Sequence, residues 1–241
     1  MQSGLYVSLS GQIALQRRLE TIADNVANTN TVGFRAEQVR FETMLSQASL
    51  DPVSFVSQGA THISRRNGEL VRTDNPLDVA VEGDAWLAIG TPAGQAYTRD
   101  GRMRMTEDGE LRTLNGYAVL DVGGAPVMLD PNAGPPSIAR DGTITQGNRQ
   151  AGVIGLFQID ERAALTRYEN SSVIPNQAAT PLLDFTRAGV SQGYVERANV
   201  NPVHEMSLLI MVSRAFEAIS NSLNDADATM KDAVKTLGST S

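Results

Sequence analysis

Apolar positions near both ends of the chain recur at alternating steps of three and four residues, the spacing of a coiled-coil seam on one face of an α-helix. The N-terminal repeat consists of Leu15, Leu19, Ile22 and Val26. The C-terminal repeat is longer and unbroken, and its members are Leu209, Val212, Phe216, Ile219, Leu223, Ala226, Met230, Ala233 and Leu237. We predict a long helix at each end and expect these two seams to form an assembly interface.

Local signals set the limits of both predicted helices. The first, from about Ser3, should stop within Asn28–Gly33, because Asn and Thr compete for backbone hydrogen bonds and Gly tolerates the left-handed conformation. The second should begin at Pro202, which suits the first helical position, with Asn201 as its N-cap.

The C-terminal helix carries five consecutive apolar residues, Leu208–Val212. At 100° per residue these cover the whole circumference, and a helix that is apolar all round is buried all round. One partner helix cannot do this, so we expect several neighbours, with the terminal helices largely unpaired in the free subunit. The alternative is a helix through the centre of a large monomeric core, which the lack of other predicted helices disfavours.

Between the two helices, short β-rich runs alternate with turn dipeptides such as Asp100-Gly101 and Asn115-Gly116. Turn signals at this density are typical of an antiparallel, sandwich-like or barrel-like domain. The region before it is expected to continue as helix to about Gln47 and then to run extended. The predicted fold class is α+β: terminal helices form a coiled-coil-like tube domain (1–35 and 199–241), a connecting segment follows (36–75), and an antiparallel all-β domain is inserted (76–198).

Composition excludes several classes of function. The 241 residues carry a net charge of −7, whereas nucleic-acid binding needs basic patches. The absence of cysteine excludes disulfides and thiolate zinc sites. No run approaches the ~20 apolar residues that span a bilayer, and the N-terminus lacks the order of a cleavable signal peptide.

Candidate chemistry is sparse, and no catalytic, cofactor-binding or metal-ligating residue is predicted. The two histidines, His62 and His204, lie far apart and outside any zinc motif. Three acidic residues could suggest calcium binding or acid–base catalysis, but their shared strand parity favours one solvated strand face: Asp78, Glu82 and Asp84. Trp86, the only tryptophan, is predicted to anchor the β core rather than to stack on a sugar.

Three motifs resemble those of bacterial flagellar rod and hook proteins, and they occur in that family's order. The first is Ile22–Arg35, the second combines Asp78–Asp84 with Tyr97–Gly101, and the third runs from Asn199 to Ala218. Within the family, the opening residues Gly4–Gly11 are similar to those of proximal rod members.

The resemblance implies a non-enzymatic, torque-transmitting subunit of the rod that crosses the periplasm. Its partners would be other rod proteins and the flagellar type III export apparatus. Phe41 and Leu45 resemble the short export-gate element of this family, although a spacing of one helical turn also suits an ordinary helix contact.

Two other functions stay open from the sequence. A distal rod or hook subunit of the same family would occupy a different position in the flagellum, but it would assemble through the same kind of contacts. A secreted carbohydrate-binding β protein would need an aromatic platform and paired carboxylates, whereas aromatic residues make up only 5% of this chain.

Overall fold

The computed structural model describes residues 2–46, 53–57 and 59–238, and shows an α+β protein with one helix near each end and a β-rich middle. The chain divides into two compact units. The helical unit comprises Met1–Ala27, Glu37–His62 and Asn201–Ser241, and the β-rich unit comprises Asn28–Ala36 and Ile63–Val200. No helix in the described part of the chain is long and apolar enough to cross a membrane.

The two helices begin and end close to the predicted positions. Helix α1 spans Gln2–Ala27 and stops just before the predicted Asn28–Gly33 region. Helix α2 spans Pro202–Gly238. The Asn201 side-chain oxygen accepts a hydrogen bond from the backbone N–H of His204 at 3.1 Å, which confirms the predicted N-cap.

Four short strands complete the helical unit, and they show that the predicted helix to about Gln47 is wrong. They are β1 (Glu37–Arg40), β2 (Thr43–Ser46), β3 (Val53–Val56) and β4 (Ala60–Ile63), with β1 paired to β4 and β2 to β3.

A side chain of α1 fixes the start of β1. The Asn25 amide accepts from the backbone N–H of Glu37 and donates to its carbonyl oxygen, both at 2.9 Å. These backbone groups are the ones that a continuing helix would need, so Asn25 holds the segment in an extended conformation.

The β-rich unit contains sixteen short strands: β5 (Leu70–Arg72), β6 (Val79–Glu82), β7 (Trp86–Thr91), β8 (Gly94–Thr98), β9 (Met103–Met105), β10 (Leu111–Thr113), β11 (Ala118–Val119), β12 (Ser137–Ile138), β13 (Thr143–Gln146), β14 (Arg149–Val153), β15 (Leu156–Gln158), β16 (Leu165–Tyr168), β17 (Ser172–Pro175), β18 (Thr180–Pro181), β19 (Gly189–Gln192) and β20 (Tyr194–Glu196). Nine of them form one sheet, whose main path is β16-β17-β8-β7-β11-β10-β9, with β15 joining β7 to β18. Every pairing between these strands is antiparallel, and smaller sheets join β12-β13-β14, β6-β19 and β5-β20.

Strand β7 is buried on both faces, which explains its unbroken apolar sequence. Leu87 packs into one hydrophobic cluster with Val79 and Val81, while Trp86 and Ala88 pack into the other. Trp86 is 2% exposed, so the prediction that it anchors the β core is confirmed.

The borders of the compact units differ from the predicted domain ranges, because residues that follow α1 are buried within the β-rich unit. Gly33, Phe34 and Arg35 are all buried there. Gly33 has a φ of 70°, and a Cβ placed on it would lie 2.3 Å from the backbone nitrogen of Asp100. Only glycine fits such a close approach of two backbone segments.

We predict that Gly33→Ala destabilises the β-rich unit by roughly 3 kcal/mol or more, because a left-handed backbone strain adds to a backbone clash. Thermal unfolding followed by Trp86 fluorescence measures this loss. Gly124→Ala is the matched control: its φ is 82°, but no atom lies within 4 Å of the added Cβ. The control should cost about 1 kcal/mol from strain alone, and equal losses in the two variants would show that the close approach has no energetic weight.

Candidate functional site

The two terminal helices pack against each other in antiparallel orientation within the helical unit. A Cβ added to Gly11 of α1 would lie 3.7 Å from the Ile219 side chain of α2. Further along α1, the Asn25 amide nitrogen lies 3.5 Å from a carboxylate oxygen of Glu205. Later positions on α1 therefore meet earlier positions on α2.

The predicted seam residues lie at or near this contact. Ile22 and Val212 are buried, with 4% and 5% exposure. The other seam residues with described side chains are half-buried: Leu15, Leu19, Val26, Leu209, Phe216, Ile219 and Leu223. Met230 and Leu237 lie on α2, but their side chains are outside the described set. The predicted seam residues with described side chains are therefore buried or half-buried in the single chain.

The helix pairing differs from the expectation that these helices are largely unpaired in the free subunit. The predicted seam of α1 contains four large apolar residues, whereas this helix also buries Ala14 (5% exposed) and Asn25 (2% exposed). Small residues such as Gly11 and Ala14 let two helices approach closely without contributing to an apolar count. Strand β3 packs against α1 as well, so α2 is not its only cover.

Each helix also carries a second apolar stripe that stays exposed. On α1 this stripe consists of Tyr6, Leu9 and Ile13, which are 57%, 43% and 50% exposed. On α2 it consists of Val203, Met206 and Ile210, which are 74%, 56% and 54% exposed. Both stripes repeat the three-and-four spacing of the seams, so each helix presents two apolar faces and buries one of them.

The all-round apolar segment of α2 is only partly covered by its neighbours. Val212 is buried, while Ile210 and Met211 remain 54% and 60% exposed. The prediction that one partner cannot cover Leu208–Val212 is therefore confirmed for the single chain.

Helix α2 extends beyond the reach of α1. Fourteen residues separate Gly11 from Asn25 and also Glu205 from Ile219, so the two contacts share one register. In that register the start of α1 lies opposite about residue 228 of α2, and α2 continues for about ten residues, or ~15 Å. This overhang carries the predicted seam positions Met230 and Leu237.

A second candidate site lies in the β-rich unit, in three segments that we call the neck: residues 33–36, 64–68 and 196–199. The carboxylate of Glu196, at the end of β20, accepts from Arg35 at 2.9 Å and from Arg99 at 2.5 Å. It also accepts from the backbone N–H of Gly68 at 2.6 Å. All three charged side chains are at most 2% exposed.

The two arginines of this cluster are held differently. Arg99 also donates to the carbonyl oxygens of Val81, Gly83 and Ala85, at 2.5 to 2.8 Å. Arg35 donates to Asn67 at 3.0 Å, and its Nε and Nη1 have no hydrogen-bond partner among the described residues. Both guanidinium groups lie over the Trp86 ring, 5.8 and 5.9 Å from its centroid.

Burial and repulsion dominate the electrostatics of the cluster. Desolvation, and then the charge of Arg99, lower the pKa of Arg35 to about 10, against the opposing effect of Glu196. Desolvation likewise lowers the pKa of Arg99. Two cations thus share one carboxylate in a water-poor environment, where each charge depends on its partners.

Asn199 links the neck through its side chain. Its Oδ1 accepts from the backbone N–H of Ala36 at 2.6 Å. Its Nδ2 donates to Ser64 Oγ at 3.2 Å and to the Arg66 carbonyl oxygen at 2.7 Å. Its backbone N–H donates to the Phe34 carbonyl oxygen at 3.2 Å.

Sequence reasoning assigned no role to the residues of these polar networks. Asn25, Arg35, Arg99 and Asn199 all fall inside the motifs that resemble the rod and hook family, so the motifs contained the signal. Glu196 lies outside every motif, and no local pattern marks it.

The predicted acidic strand face needs a correction. Asp84 is exposed, but Asp78 is 8% exposed and accepts from the Asn75 side chain at 2.9 Å. Glu82 is half-buried and pairs with Arg140 at 2.9 Å. Glu82 faces Gly189 in the pairing of β6 with β19, and Asp78 forms an isolated bridge with Arg102, so strand pairing covers residues that alternation alone assigned to solvent.

The described residues offer little for metal or sugar chemistry. They contain no group of three His, Cys, Asp or Glu side chains that could hold a metal ion. His62 and His204 are both exposed. An open groove of about 690 Å³ is lined by nine residues, none of them aromatic: Asp84, Gln158, Ile159, Asp160, Glu161, Arg162, Gln177, Ala178 and Thr180. This lining lacks the platform on which a sugar would stack.

The Phe41-to-Leu45 element is extended rather than helical. Phe41 is half-buried just before β2, and Leu45 lies within β2, its side chain outside the described set. The reading of this spacing as one helical turn is therefore wrong for the folded chain.

Sequence comparisons match three family profiles along the chain. Residues 5–35 match "Flagella basal body rod protein", residues 80–146 match "Flagellar hook protein FlgE/F/G D1 domain", and residues 191–236 match "Flagellar basal body rod FlgEFG protein C-terminal". The first match covers most of α1, and the third covers most of α2.

Full-length relatives agree with these profiles. The chain is 51% identical to the flagellar basal-body rod protein FlgF of Mesorhizobium japonicum over 100% of both chains. It is 48% identical to FlgF of Rhizobium meliloti over 99% of both. It is 28% identical to FlgG of Bacillus subtilis, over 97% of this chain and 98% of the relative.

The chain belongs to the family of flagellar basal-body rod proteins. Within that family it is most like FlgF, and it is a structural subunit of the proximal rod.

The two isoleucines of α1 provide a matched test of the helix contact. Ile22 is 4% exposed and Ile13 is 50% exposed. We predict that Ile22→Ala destabilises the helical unit by about 2–4 kcal/mol, through lost burial and a residual cavity. Ile13→Ala should cost about 1 kcal/mol or less, because half of its surface is already in water. Urea unfolding followed by circular dichroism at 222 nm measures both, and equal losses would contradict the assignment of the buried face.

Proposed function

We propose that this subunit polymerises through its two helices, and that the exposed apolar stripes are the surfaces that neighbouring copies or related rod proteins cover. The observation that carries this proposal is the second stripe. The two stripes together place six side chains at three-and-four spacing that are 43–74% exposed in the single chain, on helices that also carry buried apolar residues.

The energetics favour burial of these stripes. Completing the burial of each half-exposed apolar side chain contributes about 1 kcal/mol, so six of them supply several kcal/mol per subunit. Contiguous exposed apolar surface of this kind marks protein interaction sites. Because the stripes lie on different helices and differ in sequence, contacts between copies would be head-to-tail, which generates an open helical array.

The overhang of α2 supports the same proposal. The seam positions of the overhang lie beyond the residue of α2 that faces the start of α1. A helix from a neighbouring subunit is the partner that fits their spacing. The overhang of α2 in one subunit would then contact the α1 stripe of another subunit.

The family membership places the subunit in the flagellar basal body. We propose that it acts without catalysis, transmitting torque along a rod that crosses the periplasm, and that its partners are other rod and hook proteins. The groove without aromatic lining gives no support to a carbohydrate-binding alternative.

The α2 stripe provides the test of assembly. We predict that Ile210→Asp removes the subunit from detergent-extracted basal bodies and abolishes swimming, because a charge on a buried interface cannot be solvated. The purified variant should keep its helical circular dichroism, since Ile210 is exposed in the single chain.

Asn224→Asp is the control, because it adds the same charge at an exposed position of α2. This variant should assemble and swim normally. Normal incorporation of Ile210→Asp into basal bodies would rule out the stripe as an assembly surface.

We further propose that Phe41 and Leu45 act as an export-gate element in the unfolded chain. Support comes from the resemblance to the family element and from the extended conformation of this segment, which assigns no helix contact to the pair. The element would be read before the subunit folds.

We expect Phe41→Ala to lower the secreted fraction of the subunit several-fold while its cytoplasmic level is maintained. Immunoblots of culture supernatant and cell pellet measure this ratio. Phe185→Ala removes a phenylalanine that packs on the β core, and should be secreted normally. Equal secretion of Phe41→Ala and the unsubstituted chain would contradict the proposed export-gate role.

A further inference from the structure

The chain passes four times between its two compact units, at 27/28, 36/37, 62/63 and 200/201. On the β-rich side of the last three crossings the chain runs into the neck segments, and contacts within the β-rich unit hold these segments in place.

Asn199 bonds to the segments beside three of the four crossings. It lies two residues before 200/201, and its side chain binds Ala36 beside 36/37 and Ser64 beside 62/63. A single primary amide thereby holds three separate stretches of backbone in one geometry. The Ala36 carbonyl oxygen also accepts from the Ser64 N–H at 2.8 Å, which closes the network.

Glu196 binds the segment that follows α1, between the crossings at 27/28 and 36/37. Its side chain binds Arg35, and its backbone carbonyl oxygen accepts from the Gly33 N–H at 2.7 Å. Arg99 stays in place without Glu196, because three carbonyl oxygens hold it. The Arg35 side chain donates to only one other acceptor among the described residues, Asn67, and Arg99 repels it, so the shared carboxylate is the charged partner that holds this side chain in the neck.

We propose that Glu196 and Asn199 lock the neck segments together within the β-rich unit, and that this lock opens locally without unfolding the β core. The lock is a property of the folded chain. Its role under load rests on the proposed function as a torque-transmitting rod subunit.

Amide hydrogen exchange on the full-length purified chain tests the lock without reference to the rod. Glu196→Gln and Asn199→Asp keep the side-chain size but remove a charge and two donors, respectively. We expect the Gly33, Ala36 and Ser64 amides to exchange at least ~10-fold faster in these variants. Core amides such as Leu111 and Leu120, bonded to Val127 and Ala88, should change less than about 3-fold.

Two controls repeat the same chemical changes outside the neck. Asp74→Asn removes the carboxylate of an exposed ion pair with Arg72, in which both side chains are about 70% exposed. Asn132→Asp alters an exposed loop. Neither should change exchange in the neck. Unchanged neck amides in the Glu196 and Asn199 variants, or equally accelerated core amides, would overturn the local lock.

Swimming speed in media of rising viscosity tests the mechanical role. Cells that carry Glu196→Gln or Asn199→Asp should retain the subunit in their basal bodies and swim in dilute medium, but should stop at a lower viscosity than control cells. Swimming that declines in parallel with the controls, or loss of the subunit from basal bodies, would overturn the role of the lock under load. Absence of the unsubstituted subunit from basal bodies would instead contradict the proposed function.

Discussion

The shared carboxylate of Glu196 is the interaction on which the neck depends. It brings together a segment that follows α1, the end of β8 and the strand that precedes α2, regions far apart in sequence. The backbone contacts of Gly33, Ala36 and Asn199 gather around it. The polypeptide leading away from α1 and the polypeptide leading into α2 are thereby fixed within one compact unit.

A buried ion cluster is a costly way to join segments, since apolar residues of similar volume often give equal or greater stability. What the charges add is selectivity. Among the described residues Arg35 forms its ion pair with Glu196, so a pairing of the neck segments that separates the two would leave a buried cation without that partner. The Trp86 ring beneath both guanidiniums gives further attraction in a site that water does not reach. The apolar β core thus supplies stability, whereas the neck supplies specificity for the correct pairing of its segments.

The sequence predicted features that depend on regular spacing. The two helices, the N-cap at Asn201, the burial of Trp86 and the incomplete cover of Leu208–Val212 all follow from local pattern. The strands that follow α1 were missed, because they are only four residues long and their geometry is set by the Asn25 amide, a contact across twelve positions. The burial of Asp78 was missed for the same reason, since strand pairing rather than alternation decides it.

Glu196 shows the limit of such reasoning most clearly. A lone Glu at the end of a strand is ordinarily solvated, and only the fold reveals two arginines beside it. Each of its ionic partners comes from a different motif, so a pattern search along the chain finds the arginines without finding what unites them. Long-range charge networks have no sequence period, and pattern reasoning cannot recover them.

The two apolar faces of each helix differ in how far the single chain buries them. The buried part of α1 contains the small Gly11, which lies beside Ile219 of α2, together with Ala14 and the larger Ile22. The exposed face carries Tyr6, Leu9 and Ile13, large side chains of the kind that insert between the residues of a facing helix. Both faces have the same three-and-four spacing, so periodicity identifies two apolar surfaces but not which of them the chain fills by itself. Side-chain size does not supply the distinction either, because the large Ile22 and Val212 are buried within the single chain while the equally large Ile13 is 50% exposed. Only the fold decides which apolar surface the chain fills by itself.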